Sequence, residues 1–287
     1  MNTPPNFSLT EVNAAVAGTE FSGHIRHLPT IPSTNDLALA AARAGTRIGV
    51  WIADEQTAGR GRGSHAWHSA RGEGLYMSAL VSPALPMQSL LQLSLRVAIA
   101  VQSAISSTTG FCIREEIDIR WPNDLLLKGR KCGGILIDTA ARSASGAHPA
   151  MLRHAVIGVG VNINHCRFPP SLDAIATSLR RELPQPAEPL RREPLVAAIL
   201  RGLSTEVGAL ATGLQQQGAD DPSRYSSWIS GKRVRVEARP RDHQTAFTGT
   251  TAGLDPQGFL RVLADDGQLR TILSGGLHEL EKSAPNL

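Results

Sequence analysis

The ten residues Ala155-Val-Ile-Gly-Val-Gly-Val-Asn-Ile-Asn164 decide the fold class. Their density of β-branched side chains predicts a strand. Within it Gly158 and Gly160, two apart, fall on one face, and Asn162 extends that face. Glycine weakens a strand, and often marks close approach of a ligand or of another backbone. A helix packed tightly above the same face would need the same two residues.

Around this strand the pattern alternates between strand and helix. Ser33-Thr-Asn-Asp36 signals a helix start: Ser33 caps, Asp36 can reciprocate, and an alanine-rich run to Ala44 closes on Gly45. Ile48–Ala53 and Gly74–Ser82 read as strands, and 87–108 as a long buried helix. Short strands are expected at Ile117–Trp121, Asp124–Leu127 and Gly133–Thr139, with Lys128-Gly-Arg-Lys131 turning between the last two. Helices are expected at 171–181 and 190–214. From about Ile229 the chain switches to short alternating strands split by Gly and Asp turns, as in Lys232-Arg-Val-Arg-Val-Glu237. That tail reads as a small antiparallel barrel. The expected class is α+β with an all-β appendix. The domain reading is a loosely held lead-in at 1–20, a catalytic domain at 21–225 and a C-terminal barrel at 226–287.

Bulk composition narrows the function classes. At 287 residues, 41% hydrophobic and 19% charged, the chain can bury an ordinary core. Net charge is only +4, and the basic side chains are dispersed, which speaks against nucleic acid as the default partner. Cys112, Cys132 and Cys166 form no CxxC pair, so neither a zinc site nor a disulfide framework is indicated, and a reducing compartment suits them. No signal peptide is visible, and no apolar stretch reads as the ~20 residues that span a bilayer. A cytoplasmic protein without a membrane partner is expected. The lead-in is too short for a helix-turn-helix module.

Between Ala53 and Gly74 lies a segment without strand or helix pattern, containing Gly59-Arg-Gly-Arg-Gly63. Long patternless loops in compact domains are usually functional or disordered. Alternating Gly and Arg favours function, because glycine lets amides approach a ligand and guanidinium forks grip carboxylate or phosphate. No Gly-Lys-Ser/Thr follows, and there is no Gly-x-Gly-x-x-Gly, so neither a Walker loop nor a dinucleotide fold is supported. An RNA-binding or merely solvated segment would have a similar composition. Trp121-Pro-Asn-Asp124 fixes two polar side chains at a strand end, or is an ordinary Asx turn. Lys131, one of only four lysines, stands beside Gly133 and Gly134 as a point charge for phosphate or as a solvated hairpin residue.

Ser33-Thr-Asn35, Gln56-x-x-Gly-Arg-Gly-Arg62, Trp121-Pro-Asn-Asp124, Lys131-x-x-Gly-Ile-Leu136 and Gly158-x-Gly-x-Asn162 occur in that order. Together they resemble biotin protein ligase, that is biotin–[acetyl-CoA-carboxylase] ligase, over about residues 25–165. The resemblance implies a class II synthetase-like central mixed sheet flanked by helices. It implies that ATP and biotin, with Mg²⁺, give biotinyl-5′-AMP, and that a biotin carboxyl carrier protein domain receives the biotin. It also implies roles by position. Arg60, Arg62 and Lys131 would act on the reacting carboxylate and α-phosphate. Ser33, Thr34, Asn35, Gln56, Gly61 and Gly134 would join them around biotin. Trp67, Arg120, Asn123 and Asn162 would join Arg62 and Lys131 around ATP, and no residue is assigned to metal. A homodimer is common among such proteins. The sequence departs from the family pattern in two places: Ser64-His65-Ala66 precedes Trp67 where an arginine is usual, and Arg120 replaces lysine. The Arg-Arg-x-Ser-Gly-Gly-Gly stretch typical of lipoate-attaching relatives has no counterpart here.

Overall fold

The computed structural model describes residues 7–63, 65–142, 150–184, 188–213, 225–237, 245–273 and 276–280, with Ala141 and Arg142 by backbone alone. Ser64, the start of the lead-in and residue 214 of the second expected helix lie outside the described residues.

From Phe7 onward the N-terminal segment is not a loose lead-in. Ser8 caps α1 (Leu9–Ala15) by accepting from the Glu11 amide, and Val12, Val16 and Phe21 are wholly buried in the main core. The i, i+4 spacing of the two valines is the helical signal, diluted in sequence by Ala, Asn and Gly. β1 (Ile25–Ile31) follows, a strand the sequence reading did not assign. Pro29 masks it, and a proline in a sheet belongs on an edge strand. β1 is that edge, paired parallel with β2 (Gly49–Gln56).

Between them runs α2 (Thr34–Arg43), capped by Ser33 as expected. β3 (Gly74–Val81), α3 (Leu90–Thr109), β4 (Ile117–Arg120), β5 (Asp124–Leu127), β6 (Arg130–Arg142) and β7 (Met151–Asn162) complete the main sheet and its longest helix. Sheet order is β1-β2-β3-β7-β6-β5-β4. Only β1 and β2 run parallel, so the sheet is mixed. α2 lies on one face, where Ala38 and Ala42 meet Trp51, Leu80 and Val156. α1, α3 and α6 (Glu193–Thr212) cover the other, which is why all eight residues of β3 are buried instead of alternating.

The helix expected at 171–181 is broken into α4 (Pro170–Asp173) and α5 (Leu179–Glu182). The residues between them pair with the start of β6: Lys131 N–H donates to Ile175 O, and Thr177 N–H to Lys131 O, at 2.9 Å each. The preceding turn shrinks to Lys128-Gly129, both at positive φ, so Arg130 and Lys131 already belong to the strand.

Met87–Thr109 and Glu193–Thr212 are long and apolar enough to cross a membrane by length and composition, contrary to the sequence reading. Here they pack on each other and on the sheet, and their apolar residues belong to the main core. β8 (Ser230–Val236), β9 (Phe247–Leu254), β10 (Leu260–Ala264), β11 (Leu269–Ile272) and β12 (Leu277–Glu279) form the C-terminal antiparallel sheet, ordered β11-β10-β9-β8-β12. Trp121 and Leu126 of the main sheet region join its core with Trp228, Val234 and Leu260. The Trp121 indole N–H donates to Gly258 O at 3.1 Å.

Candidate functional site

A cavity of about 580 Å³ opens over the sheet where α2, the β2–β3 loop and β5–β7 converge. Twelve of the thirteen residues expected at the site line it: Ser33, Thr34, Asn35, Gln56, Arg60, Gly61, Arg62, Trp67, Arg120, Asn123, Lys131 and Gly134. Asn162 does not. It is buried, and its amide donates to Thr177 O at 3.0 Å, beneath the segment joining α4 to α5.

One end of the cavity is a buried polar strip. A helix start directs its first side chains back over the preceding turn. Thr34 and Asn35 therefore reach the sheet, 3% and 4% exposed. The Thr34 amide and hydroxyl both donate to Gln56 Oε1, at 2.9 and 3.1 Å, and Gln56 Nε2 donates to Ser69 Oγ at 3.0 Å. Ser69 Oγ donates in turn to Trp67 O. Ser78 Oγ stands 2.7 Å from Thr34 Oγ1 and 2.5 Å from Asn35 Oδ1. Gly158 makes this possible, since a Cβ there would lie 2.3 Å from Asn35 Oδ1. The packing reading holds at Gly158, which lies under Asn35 of α2, while Gly160 lies under the loop residue Trp67.

The other end carries charge. The β2–β3 loop folds back on itself as a small hairpin, with Gly61 N–H donating to His65 O and Trp67 N–H to Gly59 O, at 2.8 Å each. This lays the Trp67 ring on Gly134 and Gly160, where a Cβ at Gly160 would stand 2.6 Å from the indole nitrogen. That nitrogen is buried without a hydrogen-bond partner. Lys131 Nζ lies 5.6 Å from the ring centroid. Arg60 contacts Asp36 at 2.6 Å and Asp138 at 3.3 Å, so Asp36 serves the loop arginine as well as the helix start. Arg62 Nη1 donates to Asn123 Oδ1 at 3.0 Å, and Asn123 Nδ2 to Ile135 O at 2.7 Å.

Lys131 and Arg120 both contact Asp124, at 2.6 Å each. Burial pushes the Asp124 carboxyl up, but the Lys131 and Arg120 charges outweigh it, and the net direction is down. Asp138, Ser78 and Ser69 were not picked out from the sequence, and Asp124 was picked out at its strand end but given no role in the site. Asp124 had a signal, since it ends the Trp-Pro-Asn-Asp motif. Ser78 had one too, as a hydroxyl among apolar strand residues. Glu237 and Gly276, hydrogen-bonded neighbours at the paired ends of β8 and β12, also reach the cavity, so that sheet borders the site.

Such a cavity can hold an elongated ligand, with a polar neutral group over the buried strip and anionic groups among Arg60, Arg62, Arg120 and Lys131. The description "Biotin/lipoate A/B protein ligase family" matches residues 28–162, and "Biotin protein ligase C terminal domain" matches 229–275. The chain is 37% identical over 272 residues to the bifunctional ligase/repressor BirA of Bacillus spizizenii, covering 92% of this chain and 77% of that one. It is 31% identical over 247 residues to biotin–[acetyl-CoA-carboxylase] ligase of Mycobacterium tuberculosis, covering 85% and 84%. In fold it is similar to the Aquifex aeolicus biotin protein ligase solved with biotin and ATP, with a TM-score of 0.69 at 22% identity over 90% of this chain and 100% of that one. The chain belongs to the biotin protein ligases of the biotin/lipoate A/B protein ligase family.

Proposed function

We propose that this protein activates biotin with ATP and transfers the biotinyl group to a lysine of a biotin carboxyl carrier domain. The observation that carries the reading is the single cavity described above, with four cationic side chains at one end and a neutral polar strip at the other. In the first step a biotin carboxylate oxygen bonds to the α-phosphorus of ATP, the bond to the β-phosphate oxygen breaks, and pyrophosphate leaves. In the second the acceptor amine, in its neutral form, bonds to the acyl carbon. AMP leaves, and the amine gives a proton to solvent.

The first step brings two anions together. At ~3.5 Å and an effective dielectric near 20, their repulsion is about 5 kcal/mol per charge pair, which alone would slow the step more than a thousandfold. Arg60, Arg62 and Lys131 are the groups we assign to offset it, with Gly61 amide and Gly134 at the same mouth. Ser33, Thr34, Asn35 and Gln56 take the ureido end of biotin, and the apolar chain lies between. Trp67 covers the adenine, with Arg120 and Asn123 on the phosphates. Asn162 acts on the nucleotide through the Thr177 segment.

Mg²⁺ enters as a partner of the triphosphate. Among the described residues no group of three or more His, Cys, Asp or Glu side chains is placed to hold a metal ion, and Asp124 is engaged by two cations. That donor set fits an ion carried chiefly by phosphate oxygens and water, which would supply neutralising charge to the triphosphate. The finer expectations belong here as well: a carrier lysine as acceptor, a homodimer, a cytoplasmic location, and domain limits at 21–225 and 226–287.

The test is biotin-dependent exchange of labelled pyrophosphate into ATP with Mg²⁺, run beside lipoate and octanoate. Exchange with biotin alone is expected. Exchange with lipoate and none with biotin would overturn the substrate.

A further inference from the structure

Asp138 has no part in the chemistry above, yet it lies at the end of the buried polar strip. It sits on β6 two residues past Leu136, whose register partner is Gly158, and so it shares the cavity face with that glycine. Its Oδ2 accepts from Asn35 Nδ2 at 3.0 Å and lies 3.3 Å from Arg60 Nη1. One carboxylate therefore touches both the helix amide and the loop guanidinium.

The consequence follows from what each group can offer. A carboxylate accepts and does not donate, whereas an amide has a donating and an accepting side that are otherwise interchangeable. Asn35 Nδ2 must therefore face Asp138, which leaves Oδ1 toward Ser78. Ser78 has one hydroxyl proton, and Oδ1 takes it. Thr34 must then donate its own hydroxyl proton to Ser78 or to Gln56 Oε1. Gln56 Oε1 already accepts from the Thr34 amide, so Gln56 presents its nitrogen to Ser69, whose proton goes to Trp67 O. Asp138 thus orients Asn35 and, through it, Ser78, while the Thr34 backbone amide orients Gln56 from the other side.

We propose that Asp138 is a positioning residue that fixes the hydrogen-bonding polarity of the Asn35–Ser78 end of the strip, and thereby the strip's selectivity for a cyclic urea. Such a ring carries a carbonyl flanked by two N–H groups, so a strip with one amide reversed meets like with like. This inference rests on the biotin reading of the cavity and adds a determinant of it.

The experiment is pyrophosphate exchange with wild type, Asp138→Asn, Asp138→Glu, Ser78→Ala and the Asp138→Asn/Ser78→Ala double variant, with thermal melts beside it. In Asp138→Asn the Asn35 amide is free to turn. A mispaired buried polar group weakens binding about ten- to a hundredfold, so the KM for biotin should rise by that factor, while the KM for ATP stays within about twofold. Asp138→Glu keeps the carboxylate and should recover most of the loss. Ser78→Ala acts on the same amide, so the double variant should lose no more than the worse single one.

A KM for biotin unchanged in Asp138→Asn overturns the proposal. So does an equal rise in both KM values, no recovery in Asp138→Glu, or additive losses in the double variant. Should Asp138→Asn fail to fold, Ser78→Ala alone decides: an unchanged KM for biotin overturns the proposal, and the ten- to hundredfold selective rise supports it. Wild-type exchange with biotin is the internal control, since its absence strikes the biotin reading and leaves no KM to compare.

Discussion

The two ends of the cavity are built on opposite plans. At the polar end, Ser33, Thr34, Asn35 and Ser78 are at most 4% exposed, and each side chain is hydrogen-bonded to protein. At the cationic end, Arg60, Arg120 and Lys131 are 31–40% exposed, and they rest on the carboxylates of Asp36, Asp138 and Asp124. A neutral ring can be met by a finished surface. Anions cannot be met that way without a resident counter-charge, because unpaired guanidinium and ammonium groups so close together repel one another. The carboxylates of Asp36, Asp138 and Asp124 supply that counter-charge from within the chain.

If that contrast is correct, charge removal at the cationic end should destroy chemistry and spare the fold, while crowding at the polar end should do the reverse. Lys131→Ala is expected to have the largest effect: a loss of adenylation of about a thousandfold, from one unmet charge pair, with the melting temperature within a few degrees of wild type. Arg62→Ala should follow at about a hundredfold, measured in the same exchange assay. Near-normal adenylation by either variant would remove that residue from its assigned role.

Gly158→Ala and Gly160→Ala sharpen the comparison, since they differ only in what the new methyl strikes. At Gly158 it meets Asn35, held by Asp138 and Ser78, and overpacking should cost about 1–3 kcal/mol of stability by chemical denaturation. At Gly160 it meets the half-buried Trp67 ring, which is carried on a loop and not on a helix. There we expect under about 1 kcal/mol, with nucleotide affinity lowered instead.

The smallest expected effect is a pH dependence. Because the folded chain holds the Asp124 carboxyl below its usual range, its ion pairs stabilise fully above the ordinary carboxylate value near pH 4. That contribution is lost as pH falls through the lowered folded value. Asp124→Asn should therefore be less stable than wild type at neutral pH, by about 1 kcal/mol given the partly exposed cations, with the gap closing in acid. A gap that widens below pH 4 would show that Asp124 is not the counter-charge.

How much of this was readable in advance depended on whether a residue's partner was near in sequence. Ser33 announced itself as a cap because its bond to the Asp36 amide is local. β5 was placed at Asp124–Leu127 because its turn residues adjoin it. The partner of Asn35, by contrast, is 103 residues away in Asp138, and nothing in Ile-Leu-Ile-Asp138 distinguishes that aspartate from a solvated strand end. α4 and α5 were read as one helix because the break comes from pairing with Lys131, distant in sequence. β1 was hidden by Pro29, tolerated only because the strand lies at an edge, which is a fact of the assembled sheet.

Trp121 gives the molecule one more constraint. Its indole is seated among the C-terminal strands and held by Gly258 O, while the two residues after the adjoining Pro122 are Asn123 and Asp124. The C-terminal module thus seats the turn that carries Asn123 and Asp124 to the cationic end of the cavity. Exchanging it for that of a relative would import a differently shaped seat for that ring. A chimera would work only if Trp121 and the Gly258 turn were transplanted together.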